Sequence, residues 1–251
     1  MIAIKNEAEL QCMRQACRIT AAARALAGEM VRPGVSTRAI DHAVHDYIVS
    51  QGAKPSFLNY NGFPASACIS VNDTVIHGIP GGYILKEGDI VSIDVGAFYK
   101  GFHGDCAQTF ACVVISTEAR KLIEVTTQSF FEGIRYATRG NRVQDISHAV
   151  QQHVESNGFA VVRSFVGHGV GRKLHEEPEV PNFGTPGRGP RLIPGMTIAV
   201  EPMVNAGTYE VRVLKDGWTT VTADGKLSAH FENTVLITDG EPEILTVTEG
   251  R

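Results

Sequence analysis

Apolar residues recur at helical spacing in four stretches, 6 to 30, 37 to 51, 117 to 136 and 143 to 157, and strand-like runs fill much of the remainder. Asn6 and Glu9 stand at capping-box spacing, which sets the start of the first helix. The second and fourth helical stretches are one pattern written twice, GVSTRAIDHAVHDYIVSQGA from Gly34 and GNRVQDISHAVQQHVESNGF from Gly140. At an offset of 106, Gly34/Gly140, Ile40/Ile146, His42/His148, Ala43/Ala149, Val44/Val150, Ser50/Ser156 and Gly52/Gly158 are identical. The face built from Ile40, Ala43, Val44, Tyr47 and Ile48 is answered by Ile146, Ala149, Val150, His153 and Val154. Two copies of so long a unit predict one pseudo-symmetric α/β domain over 1–251, with halves near 6–112 and 117–240, rather than a solenoid.

The repeat continues into the strands. GDIVSIDVG from Gly88 and GMTIAVEPM from Gly195 reach Asp94 and Glu201 at the same place. Period-2 alternation puts Val91, Ile93 and Val95 on one face and Ser92 with Asp94 on the other. Glu201 interrupts the apolar run of PGMTIAVEPMV, which otherwise reads as a buried strand. Each half then returns with a second acid, Asp105 in GFHGDCAQTF and Glu232 in SAHFENTVLIT. An ionised group in apolar surroundings costs several kcal/mol unless it is paired, hydrogen-bonded or metal-bound. One such acid alone reads as a hydrogen-bonded strand residue. Four converging across a pseudo-twofold axis would repel one another, and two divalent ions roughly 3.5–4 Å apart would cancel that charge. A nitrogen ligand is expected from GHGVGRKLHEEP, which holds His168 and His175; its glycines oppose a helix, so this is not a zincin arrangement. Carboxylates with one imidazole favour Mn, Fe(II) or Co(II) over a thiolate-loving structural zinc.

Composition adds bounds. With 43% hydrophobic and 20% charged residues the chain has a globular make-up, and no run is long enough to span a bilayer. The start, MIAIKNEAELQCMRQ, soon turns polar and lacks a secretory signal, so a cytoplasmic location is expected. Five cysteines, Cys12, Cys17, Cys68, Cys106 and Cys112, form no CxxC pair and are expected to be reduced and mostly buried. A net charge of −4 without a long basic run gives no footprint for specific nucleic-acid binding. TPGRGPR at 185–191 reads as a surface connection, with ribosomal RNA as an alternative contact for its two arginines.

NDTVIHGIP with His77, SIDVG with Asp94, GFHGDCAQTF with Asp105, GHGVGRKLHEEP with His168 and His175, AVEPM with Glu201 and HFENTVLIT with Glu232 resemble the pita-bread metallopeptidases, family M24, over nearly the whole chain. Among them the chain is most similar to the type I methionine aminopeptidases. Its helical pattern begins almost at residue 1, and no large insertion separates Glu201 from Glu232. The resemblance implies two halves around a curved, largely antiparallel sheet with helices outside. It implies that Asp94 chelates one divalent ion, that His168 and Glu201 bind the other, and that Asp105 and Glu232 bridge, the ions being two of Co2+, Mn2+, Fe2+ or Zn2+. Hydroxide would be available near neutral pH, Glu201 would take its proton, and His77 and His175 would donate to the developing oxyanion. The side-chain pocket is implied at Phe57, Tyr60, Phe63, Cys68, His77, Leu174 and Trp218. Phe57 stands where some members have Cys, and Leu174 where many have Phe. A structural monovalent cation is implied at Asn72, Thr74 and Ser228. The implied activity is removal of the initiator methionine from nascent polypeptide N-termini, chiefly before a small residue, by a monomer with the ribosome as a candidate partner and no membrane partner.

Two rivals stay open at this point. A prolidase or aminopeptidase P relative would use the same metals on proline-containing substrates, but usually carries an added N-terminal domain. A catalytically silent pita-bread module would bind peptides without cutting them, and the intact ligand set argues against it. His42, His148, His45 and His153 read as packing or surface residues, as do His103 and His230. Trp218 divides evenly between pocket rim and core.

Overall fold

A computed structural model describes residues 2–248. Its helices fall where the periodicity puts them: α1 Glu7–Glu29, α2 Thr37–Ser50, α3 Thr117–Ile134 and α4 Val143–Ser156. Asn6 Oδ1 accepts from the Glu9 N–H while Glu9 Oε2 accepts from the Asn6 N–H, the reciprocal cap that the spacing predicts. Ser36 and Ser116 cap α2 and α3 by accepting from the N–H groups of Ala39 and Ala119.

The repeat extends to α1 and α3. Thr20 and Thr126, again 106 apart, each donate to the carbonyl four residues back, Ala16 and Leu122. The isolated bridge Ser36–Ile84 has its counterpart in Arg142–Arg191. Each half buries the apolar faces of its helices on strands, Ile40, Val44 and Ile48 on Val91, Ile93 and Val95, and Phe130 and Ile146 on Ile198, Val200 and Val235. This burial drives the helices onto the outer face and leaves the opposite side of the strands free to build a cleft.

Every strand pairing among the described residues is antiparallel. In the first half, Ile90–Tyr99 lies between Ala67–Val71 and Phe102–Ala111. The second half orders Glu243–Ile244, Asn233–Leu236, Thr197–Val200, Gly167–Gly169 and Glu176–Val180, with a further section of Ser228–His230, Met203–Asn205 and Ala160–Val161. A hairpin of Val211–Val213 and Thr220–Thr222 pairs with Thr74–Ile76 of the first half.

One sequence expectation is corrected here. Glu201 does not sit inside a strand: Thr197–Val200 ends before it, and Met203–Asn205 begins only after Pro202, which has no N–H to give a ladder. Glu232 occupies the matching gap between Ser228–His230 and Asn233–Leu236. Both glutamates therefore stand where the chain passes from one sheet section to the next.

The halves meet along a seam of Asp105, Ala107 and Thr109 against Thr234, Glu232 and His230. Ala107 and Glu232 exchange both backbone hydrogen bonds, at 3.2 and 2.9 Å. On one side of this pair Thr234 Oγ1 accepts from the Asp105 N–H and donates to the Asp105 carbonyl. On the other, Thr109 Oγ1 accepts from the His230 N–H and donates to the His230 carbonyl. The two hydroxyls satisfy buried backbone groups that do not pair directly. Residues opposite one another on antiparallel strands share a face, so Asp105 and Glu232, diagonal across the seam, present their carboxylates to the same side.

Candidate metal centre and substrate cleft

The seam forms the floor of a cleft of about 280 Å³. Asp94, Asp105, His168, Glu201 and Glu232 line it, together with His77, His175, Phe57, Tyr60, Phe63, Cys68, Leu174 and Trp218. All the residues expected to bind divalent metal, take part in chemistry or hold the side chain are thus brought to one cavity. Asp94 lies directly opposite Cys68 and Ala107 on its two neighbouring strands. The thiol of Cys68 is pushed well up by burial and by the nearby carboxylates, so it behaves as a neutral wall atom. All five cysteines are free, and all except Cys12 are buried.

Two overlapping groups could each hold an ion, Asp105 with His168 and Glu232, and Glu201 with His230 and Glu232, each with its donor atoms within 4.8 Å of one another. The donors fit a cation on two counts. Asp94 Oδ1, Asp105 Oδ1, Glu232 Oε1 and His230 Nε2 are buried without a hydrogen-bond partner, which is rare unless something else satisfies them. Burial also raises Asp94 to about 7 and lifts Asp105, Glu201 and Glu232 well above the usual carboxylate range, with mutual repulsion adding to the rise of the last three. Nearby positive charge would reverse that penalty.

His168 is set up as a nitrogen donor. Its Nδ1 lies 2.8 Å from the Gly169 carbonyl, which can accept only from a protonated nitrogen; Nε2 is left to face Glu201 Oε1 at 3.5 Å and Asp105 Oδ2 at 3.8 Å. Burial holds its pKa down to about 3, so the imidazole is neutral. His175 stands beside it, ring centroids 4.1 Å apart, with Nδ1 2.7 Å from the Tyr60 hydroxyl. His77 adopts left-handed backbone, φ 57°, and its ring meets Phe165 and Trp218 edge-on. Gly78 has no room for a Cβ against the Ile69 carbonyl, which pins the turn that aims His77.

The apolar wall is a cluster of Phe57, Phe63, Cys68 and Leu174 with Tyr60 and Trp218 at its border. Trp218 meets Phe63 edge-on, so it serves as pocket rim and packing partner together. Phe165, Val166 and Ile76 also line the cleft and were not expected; they are apolar residues without a motif of their own. His230, expected to be a packing residue, is 2% exposed and sits with Nε2 3.7 Å from Glu201 Oε2. The available signal was its place two residues before Glu232, mirrored by His103 before Asp105.

Other expected residues lie elsewhere. The Asn72 carbonyl accepts from the Ser228 N–H, while Thr74 pairs with Val221. The Ser228 hydroxyl is already directed at Val204 O and Asn205 Oδ1. His42 is exposed on α2, and His45 contacts Ser66. The loop 185–191 is tied down on α4, with the Gly187 N–H on Asp145 and the Arg188 carbonyl taking the Gln144 N–H. No helix among the described residues is long and apolar enough to cross a membrane.

Comparison with known proteins gives a consistent answer. The metallopeptidase family M24 matches residues 11–239. A methionine aminopeptidase of Clostridium perfringens is 59% identical over 98% of this chain and 99% of its own. The crystal structure of a methionine aminopeptidase from Thermotoga maritima superposes with a TM-score of 0.97 at 44% identity, covering 98% of this chain and 99% of that one. A prolidase from Pyrococcus furiosus shares the fold at a TM-score of 0.79 and 23% identity, this chain covering 66% of it.

Proposed function

The chain belongs to the metallopeptidase family M24, and from that premise we propose that it is a metal-dependent aminopeptidase that removes the N-terminal methionine of polypeptides, preferring a small second residue. The observation that carries this reading is one cavity that joins buried carboxylates lacking partners to an apolar wall of thioether size. Asp94, Asp105, His168, Glu201 and Glu232 would hold two divalent cations, drawn from Mn2+, Fe2+, Co2+ or Zn2+. When bound, those cations would make hydroxide available near neutral pH and polarise the scissile carbonyl.

The chain's own groups have distinct tasks. Glu201 lines the cleft with Oε1 3.5 Å from His168 Nε2, and there its carboxylate would accept a proton. Burial lowers His77 to about 4 and lowers His175, so both are neutral at physiological pH and each can donate one N–H to developing charge. Burial raises Tyr60, so its hydroxyl stays protonated and can donate to His175 Nδ1; the proton of His175 then sits on Nε2. Phe57, Tyr60, Phe63, Cys68, Leu174 and Trp218 surround the first side chain, where a flexible, polarizable thioether packs well against rings. The small-residue preference follows from His77 and its neighbours standing close beyond the scissile bond.

We further propose a structural monovalent cation at Asn72, Thr74 and Ser228, where the Ser228 hydroxyl donates to Val204 O or Asn205 Oδ1 and keeps its oxygen lone pairs. We also propose a cytoplasmic monomer acting on nascent chains. The deciding assay measures methionine release from Met-Ala-Ser beside release from Xaa-Pro peptides, with and without added metal. Metal-dependent cleavage of the first alone is expected; preference for the second would replace this reading with a prolidase.

A further inference from the structure

Arg24 lies on α1, behind the seam from the cleft. Its Nη1 donates to the Glu232 carbonyl at 3.2 Å and to Asn233 Oδ1 at 3.1 Å, with the Ala107 carbonyl at 3.5 Å; Nη2 donates to the Thr246 carbonyl at 3.4 Å. The chain of contacts continues inward. Asn233 Oδ1 also accepts from the Thr246 hydroxyl, whose oxygen accepts from the Thr234 N–H. The Thr234 hydroxyl in turn holds both backbone groups of Asp105. One guanidinium thereby touches the backbone of Glu232 directly and that of Asp105 through buried partners.

Ordinary packing does not explain it. The offset of 106 that aligns Thr20 with Thr126 aligns Arg24 with Phe130. Phe130 is fully buried and packs on Phe231 at 5.3 Å, so the same scaffold position in the other half is filled by an apolar ring. Nor are the seam carbonyls in need of a donor, because Ala107 and Glu232 already accept from each other. Among the described residues no carboxylate forms an ion pair with Arg24. Its charge reaches Asp94 through space, yet its hydrogen bonds go to the seam backbone and Asn233 rather than to a carboxylate, so the contacts themselves need a reason.

We propose that Arg24 is a positioning residue of the metal centre, its planar fork fixing the seam from which Asp105 and Glu232 present their carboxylates. This rests on the reading that those carboxylates hold divalent cations. The fork matters more than the charge: lysine would keep the charge but could not hold several diverging acceptors in one plane.

The test is calorimetric titration of Mn2+ into the metal-free full chain, comparing wild type with Arg24→Met and Arg24→Lys. Both variants should bind Mn2+ roughly 10–100-fold more weakly, as loss of an outer partner of a metal ligand does. Arg24→Lys should keep a melting temperature close to wild type and regain turnover of Met-Ala-Ser at saturating Mn2+, a rescue that a general folding defect would not give. Wild-type Mn2+ affinity in folded Arg24→Lys would overturn the proposal, even if Arg24→Met failed to fold. Absence of Mn2+ binding in wild type would instead overturn the reading beneath it.

Discussion

The two halves answer the same chemical need with different side chains. Asp94 and Asp105 of the first half lie within uninterrupted ten-residue strands, where a short carboxylate already faces the cleft. Glu201 and Glu232 of the second stand in gaps between short strands, where an extra methylene helps the carboxylate reach the same point. The histidines diverge further. His77 in VIHGI and His168 in VGHGV are not repeat partners, lying 91 residues apart rather than 106, yet each is followed by a glycine with no room for a side chain. His168 is in an extended strand and faces the acids, whereas left-handed backbone at His77 turns its ring towards Phe165 and Trp218. Different segments and different backbone supply a candidate ligand and a candidate donor to substrate. A duplicated scaffold can thus supply metal binding from both halves and still differentiate the surfaces where substrate lies.

The strongest way to break this comparison is at the acids that the halves share. Asp105→Ala or Glu232→Ala should abolish binding of at least one ion and lower kcat/KM by on the order of a thousandfold, since several kcal/mol of charge stabilisation are lost. Metal content by mass spectrometry and steady-state rates check this together. Next come these two histidines. His168→Ala should lose metal, while His77→Ala should retain it and lose turnover by on the order of a hundredfold, the size expected for one transition-state hydrogen bond. Equal metal loss in the two variants would remove the functional distinction between the halves.

Selectivity should show a smaller effect. Because apolar pockets discriminate by only about 1–3 kcal/mol per methylene-sized mismatch, leucine or norleucine in place of methionine should be cleaved roughly 10–200-fold more slowly, not excluded. Peptide series varying only the first residue measure this; indifference to that side chain would contradict the pocket formed by Phe57, Leu174 and their neighbours.

The smallest predicted effect is on stability. Asp94 is raised from 3.8 to about 7 by burial, and the other three acids rise with it. A raised carboxylate pKa leaves the folded state favoured below the unfolded value near 4, and that advantage is lost as pH climbs through about 7. The buried histidines His77, His168 and His230, whose pKa values are lowered, act in the opposite direction over this window, so the acid share is read by comparison with Asp94→Asn, which should lose stability less steeply than wild type between about pH 5 and about pH 7.5 in metal-free protein. Bound metal should offset the fall by mass action. Scanning calorimetry of wild type and Asp94→Asn, with and without chelator, reads both, and identical pH dependence of the two metal-free proteins would argue against an uncompensated acid at this position.

Much of this was legible along the chain because it is periodic or repeated. The stripes Ile40/Val44/Ile48 and Ile146/Val150/Val154 placed the helices, and Asn6 with Glu9 placed a cap to the residue. Asp94 and Glu201 emerged as a pair because the repeat set them side by side. The break at Glu201 was hidden by its apolar neighbours, although Pro202 was the local sign. Phe165 and Ile76 gave no signal, since an apolar residue reads alike in a core and in a pocket wall. His230 had one local sign, its place two residues before Glu232, whereas Arg24 depends on contacts across the seam between segments far apart in sequence, and no local pattern encodes it.

The most direct measurement is an anomalous difference map from crystals of the metal-free protein soaked in Mn2+. Two peaks are predicted, one beside Asp94 and one beside His168 and Glu201, both in reach of Asp105 and Glu232. No peak in the cleft, or manganese bound only elsewhere, would contradict the account that both halves build one dinuclear centre.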